Sequence, residues 1–367
     1  MNFFRIFLSL LFFIVINFGA GAADKPKNVI ILIGDGMGIN YISTSLLQDP
    51  NSPFSAFKTI GFSITKSANQ LITDSAAGAT AIATGYRTNN KMDAVTPDEK
   101  PVHTVFELVR NLGLSTGVVV TSDVTDATPS CFIAHDKSRY NKDEIAFQFT
   151  QSGTDVVIGG GTDFFLPENA GGKRKDNKNL IKQLKSDSYE YYSSFDNLQK
   201  GNPNKKFYAL FTPVGLPKTS ERNYSLGQLT DIAIKNLSQD PDGFMLMVEG
   251  SQIDWAGHDD DANYLLSEMK DFETAVKAAL DFAEADGNTL IVITADHETG
   301  GMTITGGDLD GSDLELKFIS RHHTAGVVGV LAKGPGEENF SGIYGNYEIG
   351  RKLFHLFDSA YKFSEVK

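Results

Sequence analysis

The sequence predicts an α/β protein built on one large central sheet, mostly parallel, with helices on both faces. Short apolar runs rich in β-branched residues alternate along the chain with stretches that are apolar at helical spacing. Several of these runs lead directly into acidic or imidazole side chains, and open α/β sheets bind ligands beyond the carboxyl ends of their strands. Strands are predicted near residues 28–33, 58–65, 115–121, 154–158, 243–248, 289–294 and 327–332, and helices near 75–84, 102–112, 142–151, 225–237, 262–285 and 346–360.

The first 22 residues predict a secretory signal peptide. One basic residue, Arg5, precedes an apolar stretch over residues 6–18, and Ala20-Gly21-Ala22 fits an A-x-A cleavage site. An uncleaved N-terminal anchor is the alternative. The expectation is a periplasmic or secreted protein without a stable membrane anchor after cleavage, in which residues 23–367 form a single α/β domain.

Two segments interrupt the alternation of strands and helices. Residues 162–222 are rich in Lys, Asn, Asp and Gly and have weak periodicity, so they are interpreted as a lid-like insertion, and residues 306–321 as a smaller insertion. The net charge of −13 argues against nucleic acid as a standing partner. Cys131 is the only cysteine, so the chain forms no internal disulfide and must be stabilised by its core and by metals.

The first predicted strand leads into G-D-G-M-G, residues 34–38. The carboxylate of Asp35 thus lies between glycines that let the backbone approach a ligand closely. A dinucleotide-binding loop is the rival interpretation, because the segment resembles the start of G-x-G-x-x-G. However, the third glycine comes one place early, and no acidic residue stands at the distance expected for a ribose contact.

The segment T-D-S-A-A-G-A-T-A, residues 73–81, predicts a helix of small residues. The N-terminus of such a helix is a natural place for an anion, and Ser75 would lie in the first turn with its hydroxyl near a bound phosphate. The alternative is that Thr73 or Asp74 caps the helix and Ser75 only follows. Taken by itself, the segment favours that alternative.

Oxygen donors follow two further predicted strands. The strand near 115–121 leads to D-A-T-P, residues 126–129, and Asp123 is a rival donor that could simply cap a turn. The strand near 243–248 leads directly to Glu249. Asp254 and His258 then stand four residues apart, which puts two ligands on one side of a helical turn. An acidic surface loop is the alternative there, and residues 259–261 are interpreted as a solvated acidic run.

The segment T-A-D-H-E-T-G-G, residues 294–301, follows a strand with no polar residue in its centre. Asp296 and His297 are costly to place unpaired at the end of a buried strand, and a carboxylate oxygen and an imidazole nitrogen are zinc-type ligands. So many ligands at four strand ends imply more than one metal ion. Cysteine is absent from all four segments, which indicates catalytic rather than structural metal sites.

Together, G-D-G-M-G, T-D-S-A-A-G-A-T-A, D-A-T-P, V-E-G-S-Q-I-D-W-A-G-H and T-A-D-H-E-T-G-G resemble, in this order, the motifs of the alkaline phosphatases. The resemblance runs from Asn28 to the C-terminal helix. It implies the fold of that family with insertions, and hydrolysis of small phosphate monoesters assisted by two zinc ions and one magnesium ion. It also implies two in-line displacements, first by Ser75 at phosphorus and then by water on the phosphoserine. Members of the family are often homodimers, so self-association is a further expectation.

The resemblance implies roles for individual residues. Ser75 would be the nucleophile, and Arg139, in A-H-D-K-S-R, would grip two phosphate oxygens with its planar fork. The implied zinc ligands are Asp254, His258 and His323 for one ion and Asp35, Asp296 and His297 for the other. The implied magnesium ligands are Asp35, Thr128 and Glu249, which are oxygen donors as magnesium prefers, with Asp126 near this ion but not bound to it.

Either His322 or His323 could supply the late histidine ligand. Neighbours on an extended segment point to opposite sides, so at most one of them should bind. The family pattern, in which the histidine precedes Thr or Ser and then small residues, selects His323. His103 and His355 are assigned structural roles in amphipathic helices, and His135 is expected to be a hydrogen-bonding residue near the site.

Two positions around the third metal distinguish variants of the family. Asp126 is typical of members with a magnesium-type third site, whereas Trp255 stands where many relatives have a lysine or histidine that contacts phosphate through water. Tryptophan offers one N–H donor and no charge. Either its presence loosens product binding, or the ring packs beside Ile253 and braces the turn from Asp254 to His258.

Rival functions remain open at the level of sequence. One is a related metal-dependent phosphodiesterase, or a phosphatase dedicated to one class of ester. The other is a secreted protein that binds metal or phosphate through a decayed site. The second is disfavoured, because the positions of the nucleophile, the arginine and every ligand are filled.

Overall fold

The computed structural model describes residues 25–201 and 205–364, so the predicted signal peptide lies outside the described residues. The strands are β1 Asn28–Gly34, β2 Thr59–Ile64, β3 Ser115–Asp123, β4 Val156–Gly160, β5 Glu190–Tyr192, β6 Phe207–Leu210, β7 Phe244–Gly250, β8 Thr289–Thr294, β9 Glu298–Thr299, β10 Thr303–Gly306, β11 Glu315–Lys317, β12 His323–Thr324, β13 Val328–Lys333 and β14 Gly342–Gly345. The helices are α1 Ile39–Gln48, α2 Ser75–Thr84, α3 Val105–Asn111, α4 Ala127–Ile133, α5 Lys142–Gln151, α6 Thr162–Phe165, α7 Leu180–Ser186, α8 Phe195–Gln199, α9 Leu226–Leu237, α10 Gln252–Asp259, α11 Ala262–Asp286 and α12 Asn346–Phe357.

One large sheet organises the fold. Its strand order is β14-β2-β13-β8-β1-β7-β3-β4-β6-β5. All neighbouring pairs are parallel except for β13, which runs antiparallel to both β2 and β8. The predicted large, mostly parallel sheet is therefore confirmed.

The central strands are buried on both faces. β1 and β7 are buried at every position, as expected for parallel strands that helices cover on both sides. The side chains of β1 alternate between two cores, with Val29 and Ile31 in the core under α2, α3, α4, α5 and α12, and Ile30 and Leu32 in the core under α1, α9, α10 and α11. This two-sided burial explains why these strands are continuous apolar runs in the sequence.

The ends of the helices follow from local capping. α11 begins after Asp261, whose side chain accepts a hydrogen bond from the backbone N–H of Tyr264 at 3.0 Å. The helix predicted at 102–112 begins only at Val105, because Thr104 forms a capping box with Glu107. α12 ends at Phe357, three residues before the predicted end.

The segment 162–222 does more for the fold than its composition indicates. Within it, β6 pairs with β4 and β5 pairs with β6, so the segment extends the main sheet by two edge strands. The smaller segment 306–321 contributes β11, which forms a two-stranded sheet with β10. Whether residues 162–222 act as a lid stays a prediction.

No helix in the described parts of the chain combines the length and the apolar character that a membrane crossing requires.

Candidate active site

The four strands that precede the candidate ligands are neighbours in the sheet. Their order is β8-β1-β7-β3. In the register of the sheet, Ile33 of β1 is level with Glu249 of β7 and with Thr294 of β8. The carboxyl ends of these strands therefore meet at one edge, where the side chains that follow them come together.

Two glycines allow this edge to close tightly. Gly36 has a φ of 69°, and a Cβ added there would lie 2.6 Å from Oγ1 of Thr299. A Cβ added at Gly78 would lie 2.7 Å from the backbone oxygen of Asp296. These glycines therefore permit the approach of the protein's own segment from Asp296 to Thr299, and Gly78 sets α2 directly against it.

Ser75 is the first residue of α2, and its side chain faces this segment. The carboxylate of Asp74 caps the helix by accepting from the N–H of Ala77 at 3.1 Å. Ser75 is 4% exposed, and its Oγ lies 3.2 Å from Nε2 of His297. Asp74 is therefore the cap of the helix, and the hydroxyl of Ser75 lies among the candidate metal ligands, while its role toward phosphate stays a prediction.

One group of candidate ligands consists of Asp254, His258 and His323. Their ligand atoms lie within 4.8 Å of one another. Nε2 of His258 is 3.1 Å from Nε2 of His323, while the Nδ1 atoms donate to the backbone oxygens of Arg321 at 2.6 Å and of Thr73 at 2.9 Å. A neutral imidazole that donates from Nδ1 has its lone pair on Nε2. Hydrogen bonding to Asp254 raises the pKa of His258 to about 9, so a cation shared with His323 would take the place of the proton on Nε2 of His258.

The structure places the two late histidines differently. His323 reaches Asp254, with its Nε2 at 3.5 Å from Oδ1 of the carboxylate. His322 is exposed, and its backbone oxygen accepts from the N–H of Gly300 at 3.0 Å. The side chain brought to the ligand group is therefore that of His323.

A second group lies around the buried ring of His297. Its Nε2 is 3.3 Å from Oδ1 of Asp35 and 3.2 Å from Oδ2 of Asp296. Asp254 also belongs to a group with Asp35 and His297 whose ligand atoms lie within 4.8 Å. The carboxylates of Asp35 and Asp296 thus meet at Nε2 of His297, as expected for a shared ligand set. Asp254 belongs both to this group and to the group of His258 and His323.

Among the described residues, four buried oxygens at this edge take part in no hydrogen bond of acceptable geometry, although two of them lie near Nε2 of His297. They are Oδ1 of Asp35, Oγ1 of Thr128, Oε2 of Glu249 and Oδ2 of Asp296. An oxygen that is buried without a partner costs about 1–3 kcal/mol, so four of them at one place need an explanation. Bound cations would supply it, since carboxylate and hydroxyl oxygens are the donors that divalent metals take.

The pKa values at this edge point to the same conclusion. Burial and neighbouring carboxylates raise the pKa of Glu249 to about 8 and that of Asp296 to about 7, and the pKa of Asp35 also rises well above its ordinary value. Burial would also raise the pKa of Asp254, but hydrogen bonding to His258 and the charges of nearby imidazoles lower it. Because so many acids crowd together, they must either hold protons or share cations.

Arg139 lies beside this edge and forms ion pairs with two carboxylates. Its Nη1 is 3.3 Å from Oδ2 of Asp74, and its Nη2 is 3.1 Å from Oδ1 of Asp126. Asp126 also caps α4. The ion pair between Asp74 and Arg139 joins residues 65 positions apart, so no local pattern in the sequence indicates it.

Asp123 and Lys142 form a second ion pair that the motifs do not reveal. Nζ of Lys142 lies 2.7 Å from Oδ2 of Asp123 and 3.7 Å from Oδ1 of Asp126. The other oxygen of Asp123 accepts from the N–H of Thr125 at 3.1 Å. Asp123 therefore caps a turn, as one of its two predicted roles requires, and also carries this ion pair.

Trp255 is half-buried and packs its ring against Gly215, where an added Cβ would lie 2.6 Å from Cη2 of the indole. This contact joins α10 to the segment 162–222. The histidines assigned to structure make contacts with other parts of the fold, although His103 lies before α3 and not in a helix as predicted. His135 bonds to Glu107 at 3.1 Å, the ring of His103 stacks on that of Tyr361, and His355 bonds to the backbone oxygen of Tyr361 at 3.2 Å.

Comparison with known proteins agrees with this geometry. The sequence profile of the alkaline phosphatase family matches residues 26–317. Alkaline phosphatase 3 of Bacillus subtilis is 43% identical over 77% of this chain, and alkaline phosphatase of Escherichia coli is 30% identical over 88% of it. The structure of alkaline phosphatase from the Antarctic bacterium TAB5 has a TM-score of 0.85 at 37% identity and covers 92% of this chain and 99% of that one.

The length that is shared differs among these relatives. The chain spans 63% of the Bacillus protein but 84% of the Escherichia coli enzyme. The family profile covers most of the chain, and the fold matches that of the TAB5 enzyme over nearly its full length. This chain belongs to the alkaline phosphatase family.

Proposed function

We propose that this protein hydrolyses small phosphate monoesters through a phosphoserine on Ser75. The observation that carries the proposal is the position of its hydroxyl, which begins α2 and lies 3.2 Å from His297 at the edge where the candidate ligands converge. Arg139 lies beside the same helix end, paired with its cap Asp74. A nucleophile, a phosphate-binding guanidinium and candidate metal ligands thus surround one place.

The metal ions are assigned to three sets of residues. Asp254, His258 and His323 would hold one zinc ion, Asp35, Asp296 and His297 a second, and Asp35, Thr128 and Glu249 a magnesium ion. The unpartnered oxygens and the facing imidazole nitrogens support these sets. A variant of the TAB5 enzyme has Mg bound in its M3 site, which supports magnesium as the third ion. When bound, such ions lower the pKa of a coordinated hydroxyl and stabilise attacking and leaving oxygens.

The residues of the chain would act in two displacements. The Oγ of Ser75 attacks phosphorus and releases the alcohol, and water then hydrolyses the phosphoserine to regenerate the serine. The N-terminus of α2 favours negative charge on the phosphorylated side chain. Arg139 offers N–H groups to the equatorial oxygens of the transferring phosphoryl group, while Asp74 and Asp126 fix the direction of its guanidinium.

The test compares a chromogenic monoester with the corresponding diester on enzyme loaded with zinc and magnesium. We expect turnover of the monoester, and acid quenching after reaction with labelled substrate should mark the peptide that contains Ser75. Ser75→Ala should lose nearly all turnover but keep its metals and fold, whereas Ser55→Ala, at an exposed position, should not change turnover. Preferential cleavage of the diester, or a label on another peptide, would refute the proposal.

We also propose that the protein is exported, on the basis of the basic, apolar and A-x-A pattern of residues 1–22. Analysis of the N-terminus of protein recovered from the host's periplasm or medium tests this. A new N-terminus close to residue 23 is expected, and an intact Met1 would contradict it. Self-association stays an expectation that measurement of the molar mass in solution can check.

A further inference from the structure

The phosphate-binding guanidinium lies in a strongly acidic neighbourhood. Arg139 is paired with both Asp74 and Asp126. Asp123 approaches the same place from the end of β3, because the one ammonium group of Lys142 lies within 3.7 Å of both Asp123 and Asp126. Among the side chains of this group, three carboxylates stand against two cations, so the loss of either cation would leave excess negative charge beside a phosphate dianion bound by Arg139.

Lys142 is held firmly in this place. It is the first residue of α5, its side chain is 23% exposed, and its Nζ is 2.7 Å from Oδ2 of Asp123. On its other side the ammonium lies 5.2 Å from the centre of the ring of Phe164 in α6. This lysine is therefore an ordered part of the site rather than a solvated surface charge.

Lys142 is connected to the phosphate-binding arginine through Asp126. Its Oδ1 accepts from Nη2 of Arg139 at 3.1 Å and also lies 3.7 Å from Nζ of Lys142. Two cations thus share one carboxylate oxygen. By neutralising part of the charge on Asp126 and on Asp123, the lysine weakens the hold of Asp126 on the guanidinium. It also weakens the repulsion of an incoming anion by both carboxylates.

We propose that Lys142 is a positioning residue for phosphate binding, which acts by sharing Asp126 with Arg139 and by neutralising Asp123. The proposal rests on the proposed phosphatase function. It also bears on Trp255, because a neutral indole adds no cation on its side of the site. In this chain, Lys142 would supply a second positive charge near the phosphate. It would act through Asp126, which also orients Arg139, and through Asp123.

The experiment measures inhibition by inorganic phosphate and its binding by titration calorimetry, on enzyme loaded with zinc and magnesium at fixed ionic strength. For Lys142→Met we expect the phosphate inhibition constant and the KM of a monoester to rise about five- to tenfold, as the loss of one nearby charge implies. We expect kcat to change by less than about twofold. The effect should shrink at high salt. Lys142→Arg should behave like the wild type.

Two controls separate positioning from stability. Lys137→Met removes an exposed lysine from the same region and should leave phosphate inhibition unchanged. Asp123→Asn combined with Lys142→Met removes both partners of the ion pair, so the melting temperature should return towards that of the wild type. Phosphate inhibition should nevertheless stay weaker than in the wild type, because Asp126 still lacks its second cation.

The outcomes distinguish this inference from the function on which it rests. A wild-type enzyme that neither binds phosphate nor cleaves the monoester would refute the proposed function. An active wild type with an unchanged phosphate inhibition constant in Lys142→Met would refute the positioning role alone. Full recovery of the phosphate inhibition constant in the double variant would refute the sharing of Asp126, because the neutralisation of Asp123 would then account for the whole effect of Lys142.

Discussion

Replacing Gly78 with alanine would push the helix that carries Ser75 away from the segment that carries Asp296. The added Cβ would lie 2.7 Å from the backbone oxygen of Asp296 and 3.1 Å from its Cβ, so one of the two elements must move. Overpacking of this kind costs about 1–3 kcal/mol, while the better helix propensity of alanine returns about 1 kcal/mol. We therefore expect a net destabilisation of about 0–2 kcal/mol.

Gly78→Ala should also lower activity. Ser75 is three residues away on the same helix, and a displacement of even a few tenths of an ångström changes its 3.2 Å contact with His297. Misplacement by about 1 Å can cost about 100-fold in rate, so we expect kcat to fall at least about tenfold.

The assay for this variant is monoester hydrolysis at saturating metal, together with urea denaturation. Gly326→Ala is the matched control, because its added Cβ would come no closer than 3.4 Å to another atom. If Gly78→Ala kept full kcat while the control behaved as the wild type, the close packing of α2 on this segment would not be what positions Ser75.

Further perturbations test other parts of the site. Chelation should abolish activity and lower the melting temperature together, because repelling carboxylates would lose their cations. His323→Ala should lose more zinc than His322→Ala, and equal zinc contents in the two variants would contradict the assignment of His323 as the ligand. Burial lowers the pKa of His135, but its hydrogen bond to Glu107 outweighs this and raises it. The charged pair of His135 and Glu107 should then stabilise the fold below about pH 6.5 and lose that contribution as the pH rises through the raised pKa of His135. His135→Gln should therefore lower the urea midpoint more at pH 6 than at pH 9, and an equal decrease of the midpoint at both pH values would refute this. Trp255→Lys should tighten inhibition by phosphate if a cation is what this position lacks, whereas loss of metal with unchanged inhibition would show that the indole serves packing.

The sequence predicts the centre of the fold well and its edges poorly, for physical reasons. β1 and β7 are continuous apolar runs because they are buried on both faces. β5 and β6 have three and four residues, too few to show a periodicity, and β14 begins and ends with glycine. Short helices such as α4 and α8 are not predicted from the sequence for the same reason.

The candidate site divides in a similar way. Most of its predicted ligands stand shortly after strands of the main sheet or within one helical turn, so the topology of that sheet brings them together. His323 instead reaches them through the pairing of β12 with β9. The ion pairs that surround Arg139 join positions far apart in the chain, and neither the pairing with Asp74 nor the place of Lys142 leaves a local signature. Such contacts depend on how α2, α4 and α5 pack, and only the folded chain reveals them.

The helix that carries Ser75 has no surface of its own. All 10 residues of α2 are buried, and α12 packs so closely against its end that a Cβ added at Gly350 would lie 2.5 Å from the backbone nitrogen of Gly85. A helix with one solvent-exposed face can accept varied polar residues on that face. α2 has no solvent-exposed position, so substitutions along it must fit a packed environment. Directed evolution of this protein should therefore find few tolerated substitutions along α2. Changes that reshape the environment of α2 should come from α4 and α12, the helices that pack against it.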